Sequence, residues 1–575
     1  MKKIIVVLNL LLIGFNFSFG QSFTHADTLR GSNGPGRSWW DVTKYDLYVK
    51  FNLPDSSISG YNIISYKELN RNHVDYFQID LQDPLIMDSV IADYGSGLVS
   101  MDVDSRIRKP SREKLGFIKE GNVWFVSLKK SNRPLVYNVK ETKSTPYSFT
   151  VYYHGKPKVA KNAPWDGGLI WTKDKAGNPW VAVACQGLGA SVWYPCKDYQ
   201  GDEPDSAEMH FTAPSDLITV SNGRLRSVKD DGDGNSTYTW AVVDPINNYD
   251  ISFYIGKYVH WGEIYKGEKG DLTLDYWVLD SNLAKAKKQF KEAPRMMKAF
   301  EYWFGPYPFY EDGYKLVDAP YLGMEHQSAI AYGNGYMNGY REHDLSQSGW
   351  GLKWDFIIVH ESAHEWFGNN ITSKDLADMW IHESFANYAE VLFTEYYYGR
   401  QAATDYVVGI RKNISNAKPI IAHYGVNEEG SGDMYYKGAN MIHIIRQIIN
   451  NDDLFRSILR GMNQTFYHQT VTTKQIEDYI SKKSGIDFSK VFDQYLRTTE
   501  IPELEYKSVN GKLFYRWSNC INGFNMPVKI YNEKGNLIFI HPTQQFQEVP
   551  RGVNKIKVDE NFYVGIKEVN RAGTE

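Results

Sequence analysis

Cysteine is scarce in this chain: 575 residues hold three, Cys185, Cys196 and Cys520. That excludes a disulfide framework, which needs a larger set, and a chain this long can bury a core without one. It also excludes a zinc site built on cysteine pairs, so any metal must be held by nitrogen and oxygen. A Cys185–Cys196 bridge and two small buried thiols both stay open as readings of the first pair. Excess charge is lacking too. The formal net charge is −4, with no basic stripe to suit nucleic acid and no acidic tail to suggest disorder. Beyond the first twenty residues no segment offers the roughly 20 apolar residues that a bilayer demands. Internal repeats and low-complexity tracts are missing as well.

The first twenty residues differ from the rest. "MKK" is a positive start, "IIVVLNLLLIGFNF" a short apolar run, and "SFG" puts small residues at the −3 and −1 positions before Gln21. All three parts of a secretory signal are there, and Asn9 and Asn16 interrupt the run too often for a membrane anchor. The expectation is a signal peptide over 1–20 and an exported protein, periplasmic or extracellular.

Length alone predicts about three domains. From about residue 40 to 255 the chain alternates apolar with polar, as in "YDLYVKFNL" and "YSFTVYYHG", with Pro and Gly between. "DDGDGNS" at 230–236 reads as a hairpin tip. Near residue 281 the period changes. "SNLAKAKKQFKEAPRMMKAFEYWFG" predicts a helix with Ser281 as N-cap, Gly305 as stop and a kink at Pro294. "GLKWDFIIVHESAHEWFG", "KDLADMWIHESFANYAEVLFTEYYYG", "YKGANMIHIIRQIINN" and "TTKQIEDYISKKSG" continue the helical run. After about residue 501 strands return, with a hairpin turn at "NEKGN", 532–536. The expected domains are therefore 21–255 (β), 256–500 (mainly α) and 501–575 (small β).

Chemistry concentrates in "VHESAHEWFGNN", residues 359–370. His360 and His364 are four apart on a helix, so both imidazoles lie on one face, one turn apart, and two nitrogens reach one Zn²⁺. Glu361 projects beside them, placed to act on a water rather than on the metal. A catalytic zinc usually takes a third protein ligand. Glu383 offers it on the next helix, after eighteen intervening residues, with "GNNITSKD" as the return loop. His382 is a neighbour on a different side of that helix.

H-E-x-x-H followed by eighteen residues and a Glu resembles the signature of the gluzincin aminopeptidases, the family of aminopeptidase N. Three further stretches carry the resemblance. "YLGMEHQSAI" at 321–330 is similar to the family's G-x-M-E-N motif. By that match Glu325 binds the substrate's free α-amine, and Gly323 and Met324 run beside the substrate. Leu322 and His326 depart from the usual Gly and Asn, which bears on specificity. "MYYKGANMIHIIRQI" at 434–448 resembles the Y-E-K-G segment and makes Tyr435 the catalytic tyrosine, with Tyr436 in place of Glu. "CQGLGASVWYPCKDYQ" resembles the segment ending in P-C-x-D, and counting back nine from Pro195 gives Gln186 as a substrate contact.

The resemblance runs from about residue 40 to 500. It implies a multidomain α+β fold: a saddle-like N-terminal β domain, a thermolysin-like catalytic domain and a small C-terminal β-sandwich. It leaves no room for the large helical domain of many members. It implies one Zn²⁺ per chain, Glu361 as general base, Tyr435 as oxyanion donor and Glu325 as the residue that makes an aminopeptidase. Its expected partners are peptides with a free N-terminus. A thermolysin-like endopeptidase, the epoxide-hydrolysing branch of the family and an inactive peptide-binding homologue are the competing readings.

Overall fold

The computed structural model describes residues 23–70, 73–94, 111–128 and 147–569. The expected signal peptide therefore lies outside the described residues. Among the described residues no helix is long and apolar enough to cross a membrane.

The alternating N-terminal segments form a large sheet. Eight strands run in the order 224–230, 235–242, 206–214, 40–52, 57–68, 147–155, 86–94 and 111–115. All neighbours are antiparallel except Trp40–Asn52 beside Ser206–Pro214. Its inner face buries Trp40, Tyr45, Leu47, Val49, Phe149 and Met209 in one cluster. A four-stranded sheet (218–221, 253–256, 179–184, 168–173) adds Val181, Val183 and Phe253 to the same core. Cys185 and Cys196 are both free and buried, so the bridge is not formed.

A five-stranded sheet follows, in the order 258–267, 270–279, 314–318, 330–332, 323–324. The helical reading of this region left it out. Its last strand, Gly323–Met324, is only two residues long and pairs antiparallel with Ala331 and Tyr332. Leu322, just before the strand, packs into the core of the helical unit, while Met324 packs into that of the N-terminal sheets. The strand is thereby clamped between two hydrophobic cores.

The helix expected from Ser281 is two helices, Leu283–Gln289 and Glu292–Phe304. Ser281 lies in a 3-10 turn and is not the cap, which falls on Asn282. Pro294 does not kink a helix interior. It occupies the first turn of the second helix, where a missing N–H costs nothing, and so marks the start of a new helix. Gly305 is the stop, as expected. At the C-terminal end, strands 503–509 and 512–518 join 547–548 and 565–568, while 528–531 and 537–540 form the hairpin around 532–536. Trp517, Met526, Val528 and Ile530 belong to the same buried cluster as the helices, so these strands share the helical unit's core.

Candidate metal centre

The pentad helix, Phe356–Ala363, starts at Asp355, whose side chain accepts from the N–H groups of Ile357 and Ile358. Every residue of it is buried, which is unlike an amphipathic surface helix. Gly368, at φ 140°, ends the segment as the sequence suggests. The chain returns through Ile371–Ser373 into the glutamate helix, Trp380–Tyr398. His382 braces that return, since its Nε2 accepts from Ser373 N at 2.8 Å. That contact uses one ring nitrogen, and His382 is not among the clustered ligand atoms.

Helix and return together put three donors in one place. Glu383 Oε2 lies 3.5 Å from Nε2 of His360 and 3.5 Å from Nε2 of His364. The three ligand atoms fall within 4.8 Å of one another, and all three residues are buried. Among the described residues no hydrogen-bond donor reaches Glu383 Oε2. A buried carboxylate oxygen without a donor is costly, and a cation held by two imidazoles and one carboxylate removes that cost. The residues fit a divalent zinc.

The electrostatics agree. Burial would raise Glu383, but the two imidazoles outweigh it and hold its carboxyl well below the usual range. Burial pulls His364 down, yet Glu383 and Glu325 carry it up to about 9. Without metal, protons do the cation's work, and metal binding must displace them. Glu361 is lifted to about 7 by burial, with His360 opposing and Glu325 adding. A carboxyl near neutrality is suited to exchange protons at ordinary pH.

Each of the two imidazoles is oriented from behind. His360 Nδ1 meets Glu390 Oε1 at 2.7 Å, and His364 Nδ1 meets the carbonyl of Phe367 at 3.1 Å. Glu390 was not singled out in the sequence, although its place seven residues after Glu383 on one helix face was a usable signal.

Glu325 is buried nearby, and its Oε1 accepts from Gln186 Nε2 and, at 3.2 Å, from Tyr249 OH. Its main-chain carbonyl accepts from Asn369 Nδ2 at 2.9 Å, which ties the sheet-edge strand to the end of the pentad segment. Gln186 and Glu325, read from separate motifs, thus meet. Tyr249 carried no signal in the sequence. A Cβ on Gly323 would sit 2.9 Å from Glu361 Oε1, so the strand passes directly over that carboxyl.

Tyr435 opens the tyrosine helix, Asp433–Ile449, and its ring stands 6.0 Å from that of His360. Burial first, and then the charge of Glu383, keeps its hydroxyl protonated. The last two motif residues, Lys437 and Gly438, are structural. Lys437 Nζ donates to Thr498 O at 2.8 Å, and a Cβ on Gly438 would lie 1.8 Å from Ser384 Oγ. Only glycine lets this helix approach the glutamate helix so closely.

Residues 289–495 match the peptidase family M1 domain. This segment is an M1 peptidase domain. It contains His360, Glu361, His364, Glu383 and Tyr435, with Glu325. Over 364 residues the chain is 23% identical to probable aminopeptidase 2 of Sulfurisphaera tokodaii, covering 61% of this chain and 44% of that protein. It is 21% identical to leukotriene A-4 hydrolase of Xenopus laevis, covering 64% and 62%. It is 24% identical to human aminopeptidase N, covering 52% and 32%. The chain spans about half the length of the curated relatives it matches. A solved M1 zinc metallopeptidase mutant of Deinococcus radiodurans, bound to a Tyr-Ser-Ala substrate, shares the fold. There the TM-score is 0.63 at 19% identity, over 81% of this chain and 95% of that one.

Proposed function

We propose that the chain is an exported zinc aminopeptidase that removes the first residue from peptides. The observation that carries this reading is the second carboxylate. Glu325, presented by Gln186 and Tyr249, stands beside the His360–His364–Glu383 set without belonging to it. His360, His364 and Glu383 would hold one Zn²⁺ per chain, which supplies Lewis-acid polarisation of a carbonyl and activation of a water.

The chain's own residues do the rest. Glu361 takes a proton from the attacking water and delivers it to the departing amine. The Tyr435 hydroxyl donates a hydrogen bond to the carbonyl oxygen as negative charge gathers there. Glu325 accepts from the substrate's α-ammonium, which fixes the scissile bond as the first one. Gln186 touches that amine or the first side chain, and the backbone of Gly323 and Met324 aligns the substrate's main chain. The charged start, apolar run and small residues at 1–20, read as a secretory signal, support export.

The test is hydrolysis of aminoacyl fluorogenic amides beside their N-acetylated forms, with and without a chelator. Cleavage restricted to the free-amine set, lost with chelator and restored by zinc, is the expected result. Equal cleavage of blocked substrates would replace this reading with an endopeptidase.

A further inference from the structure

One carboxylate beside the site has no role in the mechanism above. Glu429 lies six residues before Tyr435, in a loop that neighbouring elements pin in place. Gly425 N donates to Asp375 Oδ2 at 2.9 Å, Tyr424 OH donates to Asp378 Oδ1 at 2.7 Å, and Asn427 N donates to Asp27 O at 3.2 Å. Glu428 is engaged as well, by His423 Nδ1 at 2.8 Å. Glu429 takes no part in this bracing. Among the described residues no hydrogen bond or salt bridge engages its carboxyl, and Lys418 is the cation that acts on it from a distance.

The carboxyl points instead at the substrate-binding stretch. Its Oε1 lies 2.1 Å from where a Cβ on Gly187 would sit, and Gly187 itself holds φ 69°, a backbone conformation that favours glycine. Gly187 follows Gln186, whose Nε2 donates to Glu325. Glu325 and Glu429 therefore flank the same two residues. The charge count then matters. A divalent cation and a substrate α-ammonium together balance Glu325, Glu361 and Glu383. Glu429 is left over, half-buried and beside like charges, a position that a cationic ligand group relieves.

We propose that Glu429 receives the side-chain cation of the substrate's first residue, so that the enzyme prefers peptides beginning with Lys or Arg. The proposal rests on the aminopeptidase reading. Long stems on Lys and Arg carry a charge from an α-carbon anchored at Glu325 to a carboxylate beyond Gln186 and Gly187.

The experiment compares kcat/KM for lysyl, arginyl, norleucyl and leucyl fluorogenic amides, using the wild type, Glu429→Gln and Glu429→Asp. Norleucine matches the lysine stem without its charge. The expected result is a wild-type preference for lysyl over norleucyl of tenfold or more, weakened by added salt. Glu429→Gln should bring that ratio close to one, chiefly through KM, and Glu429→Asp should keep part of it. A wild type that cleaves norleucyl as well as lysyl overturns the proposal and leaves the aminopeptidase standing, as does a ratio untouched by Glu429→Gln. If the wild type cleaves none of the amides, the aminopeptidase reading fails separately. Calorimetric binding of argininamide against norleucinamide, in wild type and Glu429→Gln, then decides the role of Glu429: equal binding overturns it.

Discussion

Glu390 Oε1 stands 2.7 Å from Nδ1 of His360, on the same helix that supplies Glu383. Asn387 Nδ2 donates to that same oxygen at 2.8 Å, and Tyr406 OH donates to the other at 2.6 Å. The carboxylate is thus fixed, and it fixes the imidazole in turn. Such partners set the tautomer of a ligating histidine and raise the basicity of its metal-facing nitrogen. Glu390→Gln should lower zinc affinity about 10–100-fold. Competition with a chromophoric chelator measures this, and circular dichroism checks that the fold is kept. Unchanged affinity would mean that Glu390 does not orient His360.

Glu361 is buried over the ligand set but is not among its three closest donors. Glu361→Gln should cut kcat by at least about 10²–10⁴-fold while zinc content stays as in the wild type. Removing His360 should instead lose the metal. Turnover and elemental analysis on the same preparations separate the two outcomes, and a near wild-type rate for Glu361→Gln would remove it as the base.

Gly438→Ala tests the helix contact that brings Tyr435 to the site. The added methyl would meet Ser384 Oγ at 1.8 Å and Ser384 Cβ at 2.7 Å. Serine cannot rotate its own Cβ away, so the helices must part. Overpacking of this kind costs about 1–3 kcal/mol, and a shift of about 1 Å at Tyr435 is enough to slow the reaction about 10²-fold. Ser384→Gly in the same chain should recover much of both. If the double variant is no better than Gly438→Ala, the contact with Ser384 does not govern the placement of Tyr435.

What was legible in the sequence follows from how rigid each element is. His360, His364 and Glu383 are related by helix geometry and one short return, so their spacing already specified a cluster. Gln186, Glu325 and Tyr435 come from separate parts of the chain and were reachable only through motif resemblance. Tyr249 was not reachable at all, because nothing local marks a tyrosine in a short 3-10 turn as a partner for Glu325. The break before Pro294 was misplaced because a proline at a helix start and one in a helix interior look alike in a periodic run. The short Gly323–Met324 strand escaped the periodic reading because two residues carry no period.

Asp355 allows a pH prediction away from the ligands. It caps the pentad helix and accepts from Ile357 N (3.1 Å), Ile358 N (3.3 Å), Asn334 Nδ2 (2.9 Å), Tyr332 OH (2.7 Å) and Gln289 Nε2 (2.8 Å). Burial outweighs these donors and lifts its carboxyl from an ordinary 3.8 to about 6. The folded state therefore holds this proton more tightly than the unfolded chain. Its contribution to stability is fully present below the unfolded value and is lost as pH rises through about 6, a difference of up to about 3 kcal/mol. Asp355→Asn retains a good N-cap and cannot titrate. The unfolding free energy of the wild type relative to this variant should fall by up to about 3 kcal/mol between pH 4 and 8 in urea titrations. Because the other carboxylates titrate in both proteins, the difference isolates Asp355. A difference that stays flat across that range would mean the five donors, rather than burial, set the charge of the cap.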